Sequence, residues 1–168
     1  MHEPLPGTAV QACMSAPFTG ALPSSSSPAG LIAFDFGLRY IGVAVGDTQT
    51  RLAHPLEYID AEANAARFAR IAALIAEWQP ATLVVGLPLD AEGGDHDMTR
   101  RARRFAHQLE GRFRLPVVLV DERLSSAEAD ALLRSQGRGG RAHKQDNHAI
   151  AAQLILQAYL DSLESPRA

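Results

Sequence analysis

Leu31-Ile32-Ala33-Phe34 is an unbroken apolar run between Gly30 and Gly37, the pattern of a short strand covered on both faces. From Tyr40 to Gly46 the pattern becomes strict alternation, with Ile41, Val43 and Val45 on one face and Tyr40, Gly42, Ala44 and Gly46 on the other, so a second strand follows a tight turn at residues 36–39. A third strand, over residues 52–59, completes an antiparallel meander. Residues 63–78 switch to a helical period: Phe68, Ile71, Ala72, Ile75 and Trp78 form one stripe with Ala65 and Leu74 at its margins, and Pro80 stops it. Thr82 to Gly86 and Val117 to Val120 read as two more buried strands. Between them lie a Gly93-Gly94 loop and a helix over residues 99–111 with Ala102, Phe105, Ala106 and Leu109 on its apolar face. Ser125-x-x-Glu128 fits a capping box opening a further helix, and residues 136–143, with three glycines and two arginines, read as a mobile basic loop. The last segment, residues 149–163, is apolar nearly all round and predicts a helix packed on the sheet.

Three antiparallel strands followed by alternating helices and strands predict an α/β fold: a mixed five-stranded sheet with helices on both faces and right-handed crossovers between its parallel members, the ribonuclease H-like plan. Chemistry in such sheets collects at the carboxyl ends of the parallel strands. Residues 1–29 are rich in Pro, Gly, Ala and Ser and show no apolar period, so a disordered leader is expected ahead of a domain spanning residues 31–163, with a flexible tail at 164–168. Met14, within that leader, is a second candidate start.

Composition narrows the function classes. The 168 residues, 46% hydrophobic and 21% charged, suit one globular domain. The single cysteine, Cys13, excludes an internal disulfide framework, and a reducing cytoplasm is the expected location. No apolar run approaches the roughly 18–20 residues of a membrane span, and Met1-His2-Glu3-Pro4 does not open a secretory signal. The formal net charge of −3 conceals an asymmetry: residues 95–144 carry eleven basic against seven acidic side chains, and the remainder five against twelve. Only Lys144 among the basic residues is a lysine, and arginine is the better bidentate partner for phosphate.

Asp35 ends an otherwise apolar strand, Asp121 and Glu122 occupy the matching position after Val120, and Asp146 stands at the start of the last helix. Acids gathered at one sheet edge repel each other unless protons or cations neutralise them, and hard oxygen ligands suit Mg²⁺ or Mn²⁺. A pair of such ions activates water and stabilises the departing oxygen of a phosphodiester. Taken singly, each acid also fits a plainer role: a turn former at Asp35, an ion-pair partner for Arg123 at Asp121 or Glu122, an N-cap at Asp146. His54, His96, His107, His143 and His148 show no zinc-binding spacing. Gly86, on a strand placed between those bearing Asp35 and Glu122, is expected to leave room for metal and substrate. Arg100, Arg101, Arg103 and Arg104 lie opposite the apolar face of their helix; with Arg138, Arg141 and Lys144 they form a set able to hold a phosphate backbone. No aromatic-rich stretch suited to stacking bases appears, which favours backbone or shape recognition. Met98 and Trp78 are assigned to packing.

Asp35-Phe36-Gly37-Leu38-Arg39-Tyr40-Ile41-Gly42-Val43-Ala44, then Val84-Val85-Gly86-Leu87-Pro88-Leu89, Asp121-Glu122-Arg123-Leu124-Ser125 and Lys144 to Asp146 together resemble the YqgF/RuvX family in order and spacing over residues 31–163. The resemblance implies a RuvC-like, ribonuclease H-like fold and a cytoplasmic nuclease, either maturing the 5′ end of pre-16S ribosomal RNA or resolving Holliday junctions, the latter as a homodimer. It assigns Asp35, Glu122 and Asp146 as catalytic, metal-binding acids for two Mg²⁺ or Mn²⁺ ions. The nucleic-acid-binding set is then Arg100, Arg103, Arg104, Arg123, Arg138, Arg141 and Lys144. Asn147-His148 departs from the small residues expected after the last acid. A catalytically silent nucleic-acid-binding module is the alternative from another class. An actin-like or sugar-kinase ATPase would need two such domains, for which 168 residues are too few.

Overall fold

The computed structural model describes residues 29–90, 92–122 and 144–164, with the side chains of 144–146 and 164 left aside. Five strands form one sheet: β1 (Gly30–Phe36), β2 (Tyr40–Asp47), β3 (Ala53–Asp60), β4 (Thr82–Leu87) and β5 (Val117–Asp121). Their order is β3-β2-β1-β4-β5. β1, β2 and β3 pair antiparallel as a meander, and β4 and β5 add in parallel beyond β1. Among the described residues, three helices pack on this sheet: α1 (Asn64–Trp78), α2 (Asp97–Phe113) and α3 (Lys144–Glu164).

The two-residue period of the strands sorts side chains into two cores. Ile32 and Phe34 of β1, Ile41 and Val43 of β2, and Leu83 and Val85 of β4 pack against α1 and α2. On that face Phe105 stacks on Phe36 (4.9 Å between centroids) and meets Phe34 edge-on (5.9 Å). Leu31, Ala33, Ala44 and Val84 pack on the other face against Ala152, Ile155, Leu156 and Leu160 of α3. β4 therefore lies between the strands bearing Asp35 and Asp121, and the layers agree with the α/β sandwich expected from the pattern.

Three readings of detail change. The buried stripe of α1 is Arg67, Phe68, Ile71 and Leu74, whereas Trp78 is 44% exposed and Ala72 is exposed. Leu74 stands seven residues from Arg67, near two full turns, and so falls at the centre of the stripe rather than its margin. β5 is only half-buried, with Leu119 37% exposed, because it is the sheet's edge strand. The last helix begins at Lys144, two residues ahead of the Asp146 expected at its start. The expected leader, Cys13 and Met14, the capping box at Ser125, the helix it opens, the loop at 136–143 and the tail from 165 lie outside the described residues.

Two contacts fix where α3 starts. Gln153 and Gln157, one turn apart, clasp the beginning of β3: Gln153 donates to the Ala53 carbonyl (3.0 Å), and the Ala53 amide donates to Gln157 Oε1 (3.1 Å). Near the helix's first turn, a Cβ on Gly42 would stand 1.8 Å from the His148 carbonyl oxygen. Gly42 thus lets α3 lie directly on β2, at the residue paired with Asp35 across the β1–β2 ladder.

Candidate active site

Asp35 is the last residue of β1 on the α3 face; the alternation that sends Phe34 and Phe36 to the α1/α2 side turns it the other way. Glu122 follows β5 and reaches back over β4, where the absent side chain of Gly86 admits it: a Cβ there would be 2.6 Å from Glu122 Oε1 and 2.4 Å from Ile155 Cδ1. The space expected above Gly86 for metal and substrate is therefore filled by Glu122 and Ile155. Of the two acids the sequence offered at this position, it is Glu122, one residue past the end of β5, that meets Asp35.

Asp35 and Glu122 are hydrogen-bonded to each other. Burial raises the Asp35 carboxyl, opposed by the bond it accepts from Glu122 and by nearby His148. Glu122 is pushed up to about 8, by burial first, then by the Asp35 charge and hydrogen bond, then by Asp121. A protonated Glu122 donating to an Asp35 carboxylate satisfies all of these causes.

Asp146 lies in the first turn of α3, two residues before the His148 carbonyl that rests on Gly42, so the main chain brings it to the same strand end as Asp35; its side chain lies outside the described structure. Among the described residues, no three side chains of His, Cys, Asp or Glu form a metal-binding group. What the described part offers is a pair of hard carboxylate donors that hold a proton where a cation would otherwise stand, and the buried Oδ1 of Asn147, in the same turn, with no hydrogen-bond partner. This chemistry of hard oxygen donors fits a divalent cation of the Mg²⁺ or Mn²⁺ type.

The basic residues divide. Arg100, Arg103 and Arg104 sit on α2, in the layer opposite α3, and are not brought to the acid pair. Arg100 and Arg103 approach Asp97 (3.9 Å) and Asp95 (3.3 Å), exposed contacts of the kind that contribute little. Lys144 opens α3, with its side chain undescribed, and Arg123, Arg138 and Arg141 lie outside the described residues.

Sequence reading missed an aromatic group beside the acids. Tyr40 stacks on His148 (5.1 Å between centroids), meets Tyr58 edge-on (5.9 Å) and carries the Arg39 guanidinium 5.2 Å from its ring centre. No run of sequence holds these rings together; β2–β3 pairing and the docking of α3 do. Their only sequence signal was that Tyr40 shares the alternating face of Gly42.

An acid at the end of β1, an acid just after β5 and an acid in the first turn of the final helix thus share one edge of a β3-β2-β1-β4-β5 sheet. Residues 29–162 match the RuvX family, described as Holliday junction resolvase. The chain belongs to this family. A relative from Methylobacillus flagellatus is 55% identical over 143 residues, covering 85% of this chain and 98% of its own length. Another, from Bordetella pertussis, is 53% identical over 136 residues, covering 81% and 96%. Both bear the name "Putative pre-16S rRNA nuclease". Among solved structures, RuvC of Thermus thermophilus in complex with a Holliday junction aligns with TM-score 0.54 at 15% identity, over 80% of this chain and 95% of that one. The fowlpox virus resolvase bound to Holliday junction DNA aligns with TM-score 0.53 at 10% identity, over 81% and 99%. These likenesses establish for RuvX family members such as this chain the RuvC-like, ribonuclease H-like fold. Among the described residues, no helix is long and apolar enough to cross a membrane.

Proposed function

We propose that this chain is a metal-dependent nuclease that hydrolyses phosphodiester bonds in the 5′-end maturation of pre-16S ribosomal RNA in the cytoplasm. The observation that carries the reading is the half-buried Asp35–Glu122 pair at the carboxyl end of the parallel strands, with Glu122 seated over Gly86. Its RNA substrate follows the names of relatives that are more than half identical over nearly their whole length. The catalytic unit is residues 31–163, behind a leader at 1–29 and ahead of a tail at 164–168.

Asp35, Glu122 and Asp146 would hold Mg²⁺ or Mn²⁺, two ions in the arrangement usual for phosphodiester cleavage, and the metal would supply a water of lowered pKa and a counter-charge for the leaving oxygen. Asp35, fixed by the β1–β2 ladder, anchors the site. Glu122 must give up its proton before it can act as a full ligand, so cation binding and proton release are linked at this residue. Ile155 and the backing of α3 on Gly42 keep that side of the pair dry and fixed. Arg123, Arg138, Arg141 and Lys144 would position phosphates, and Arg100, Arg103 and Arg104 would act on the strand on the α2 side of the sheet.

The family's description favours a second reading, a Holliday junction resolvase working as a homodimer on branched DNA. The test compares wild type with Asp35→Asn on a precursor ribosomal RNA 5′ segment and a four-way DNA junction, with Mg²⁺, with Mn²⁺ and with chelator. Metal-dependent cleavage of the RNA alone, lost in the variant, is the expected result. Paired symmetric nicks in the junction would replace it with the resolvase. Binding without cleavage would leave a silent binding module.

A further inference from the structure

Asp35 and Phe36 are neighbours on β1 that point to opposite faces of the sheet. On Phe36's side lies a second cleft, of about 330 Å³, lined by Phe36, Leu38, Arg67, Arg101, Arg104 and Glu62 among others. This volume falls within the range of small-ligand sites. Its lining carries three arginines against one acid.

The three cations are held differently. Arg67 is 6% exposed, and its guanidinium donates to the main-chain carbonyls of Gly37, Leu38 and Ala61, so a positive charge is buried under the cleft with carbonyls rather than a carboxylate as its hydrogen-bond partners. Arg101 bonds Asp97 at 2.8 Å on an exposed helix surface, a pair worth little and open to exchange for a stronger anion. Arg104 is exposed at the mouth, one helical turn from Arg101. Residues three apart on a helix are neighbours, so both guanidiniums can close on one anion. Phe36, half-buried between Phe105 and the Arg67 guanidinium, and Leu38, 57% exposed, supply an apolar part of the remaining wall, beside the polar Asn64 and Gln108.

We propose that this cleft binds one nucleotide, with its phosphate between Arg101 and Arg104 and its sugar and base against Phe36 and Leu38. The nucleotide belongs either to the substrate strand as it passes over the rim from the acid pair or to a free mononucleotide. The first source rests on the nuclease reading; the chemistry of the cleft does not.

The experiment measures binding, in chelator and on the Asp35→Asn background so that nothing is cut. The probes are a fluorescent single-stranded RNA hexamer by anisotropy and adenosine monophosphate by calorimetry. Arg101→Ala and Arg104→Ala are exposed changes, and Arg70→Gln, an exposed arginine outside the cleft, controls for net charge. Weakening of hexamer binding by roughly five- to tenfold per arginine, with a salt slope smaller by about one and little effect of Arg70→Gln, assigns the cleft to the strand. Loss of mononucleotide binding alone assigns it to a free nucleotide. If neither probe responds to Arg101→Ala or Arg104→Ala while circular dichroism is unchanged, the proposal is overturned. A protein that cuts no nucleic acid yet binds through Arg101 and Arg104 would refute the nuclease reading and leave this one standing.

Discussion

Glu122 donates a hydrogen bond to Asp35, which places the two half-buried acids to share one proton at the edge of the sheet. In the unfolded chain Glu122 ionises near its ordinary 4.5, in the folded chain near 8, so the folded state binds more protons across that interval. Stability of the metal-free protein should therefore fall as pH rises from about 4.5 to about 8. Glu122→Gln removes the titrating group and keeps a donor for Asp35. It should flatten the dependence and raise Tm at pH 8 by ~3–8 °C. Thermal melts in chelator at several pH values measure this; parallel curves for the two proteins would refute the shared proton.

A divalent cation should reverse the same effect. Mg²⁺ or Mn²⁺ at millimolar concentration is expected to raise the wild-type Tm at pH 8, with release of protons that calorimetry in buffers of different ionisation enthalpy can count. Glu122→Gln should lose most of the shift. An equal metal-induced shift in wild type and variant would place the cation elsewhere.

Gly86→Ala puts a Cβ against Glu122 Oε1 and Ile155 Cδ1. Both neighbours are side-chain ends, so the chain should fold with a loss of about 1–3 kcal/mol. Adding Ile155→Val removes the Cδ1 contact and should recover part of that stability. It should not restore cleavage, because the Glu122 carboxylate stays displaced. Urea titration and a cleavage assay on the same two proteins separate these effects.

Gly42→Ala meets main chain instead, at the His148 carbonyl. No rotamer relieves that contact, so α3 must lift from β2. The expected cost exceeds that of Gly86→Ala, and hydrogen exchange in the first turns of α3 should accelerate. Unchanged protection there would refute the close docking.

On the opposite face, Phe105 contacts Phe34, Phe36 and Phe68, with ring centroids 5.9, 4.9 and 6.1 Å away. Phe105→Ala should cost about 3–5 kcal/mol in urea unfolding, compared with about 2–5 kcal/mol for a smaller aliphatic truncation such as Leu74→Ala.

The sequence by itself determined the elements and their order. Unbroken apolar runs marked β1 and β4, alternation marked β2 and a period of 3.6 marked α1 and α2, because the surface each element buries imposes its geometry on local side-chain spacing. The same local logic put Asp35 at a strand end, and it governs the turn after Asp47, whose carboxylate accepts the Thr50 and Gln49 amides at 2.7 and 2.8 Å and is held below its ordinary pKa by them. Trp78 went astray because at a helix end period alone does not say whether a neighbour covers the ring.

Only the tertiary structure decided what depends on contact between distant segments. It turned Glu122 rather than Asp121 toward Asp35, gave the space over Gly86 to Glu122 and Ile155, and assembled Tyr40, Tyr58 and His148 from three elements. It also set the α2 arginines on the far side of the sheet from the acid pair, where two of them join the buried Arg67 around a second cleft. Periodicity is a property of a chain and its nearest surface, whereas a shared proton, a stacked ring or a cationic cleft is a property of two or more segments at a common distance, which no spacing along one segment encodes.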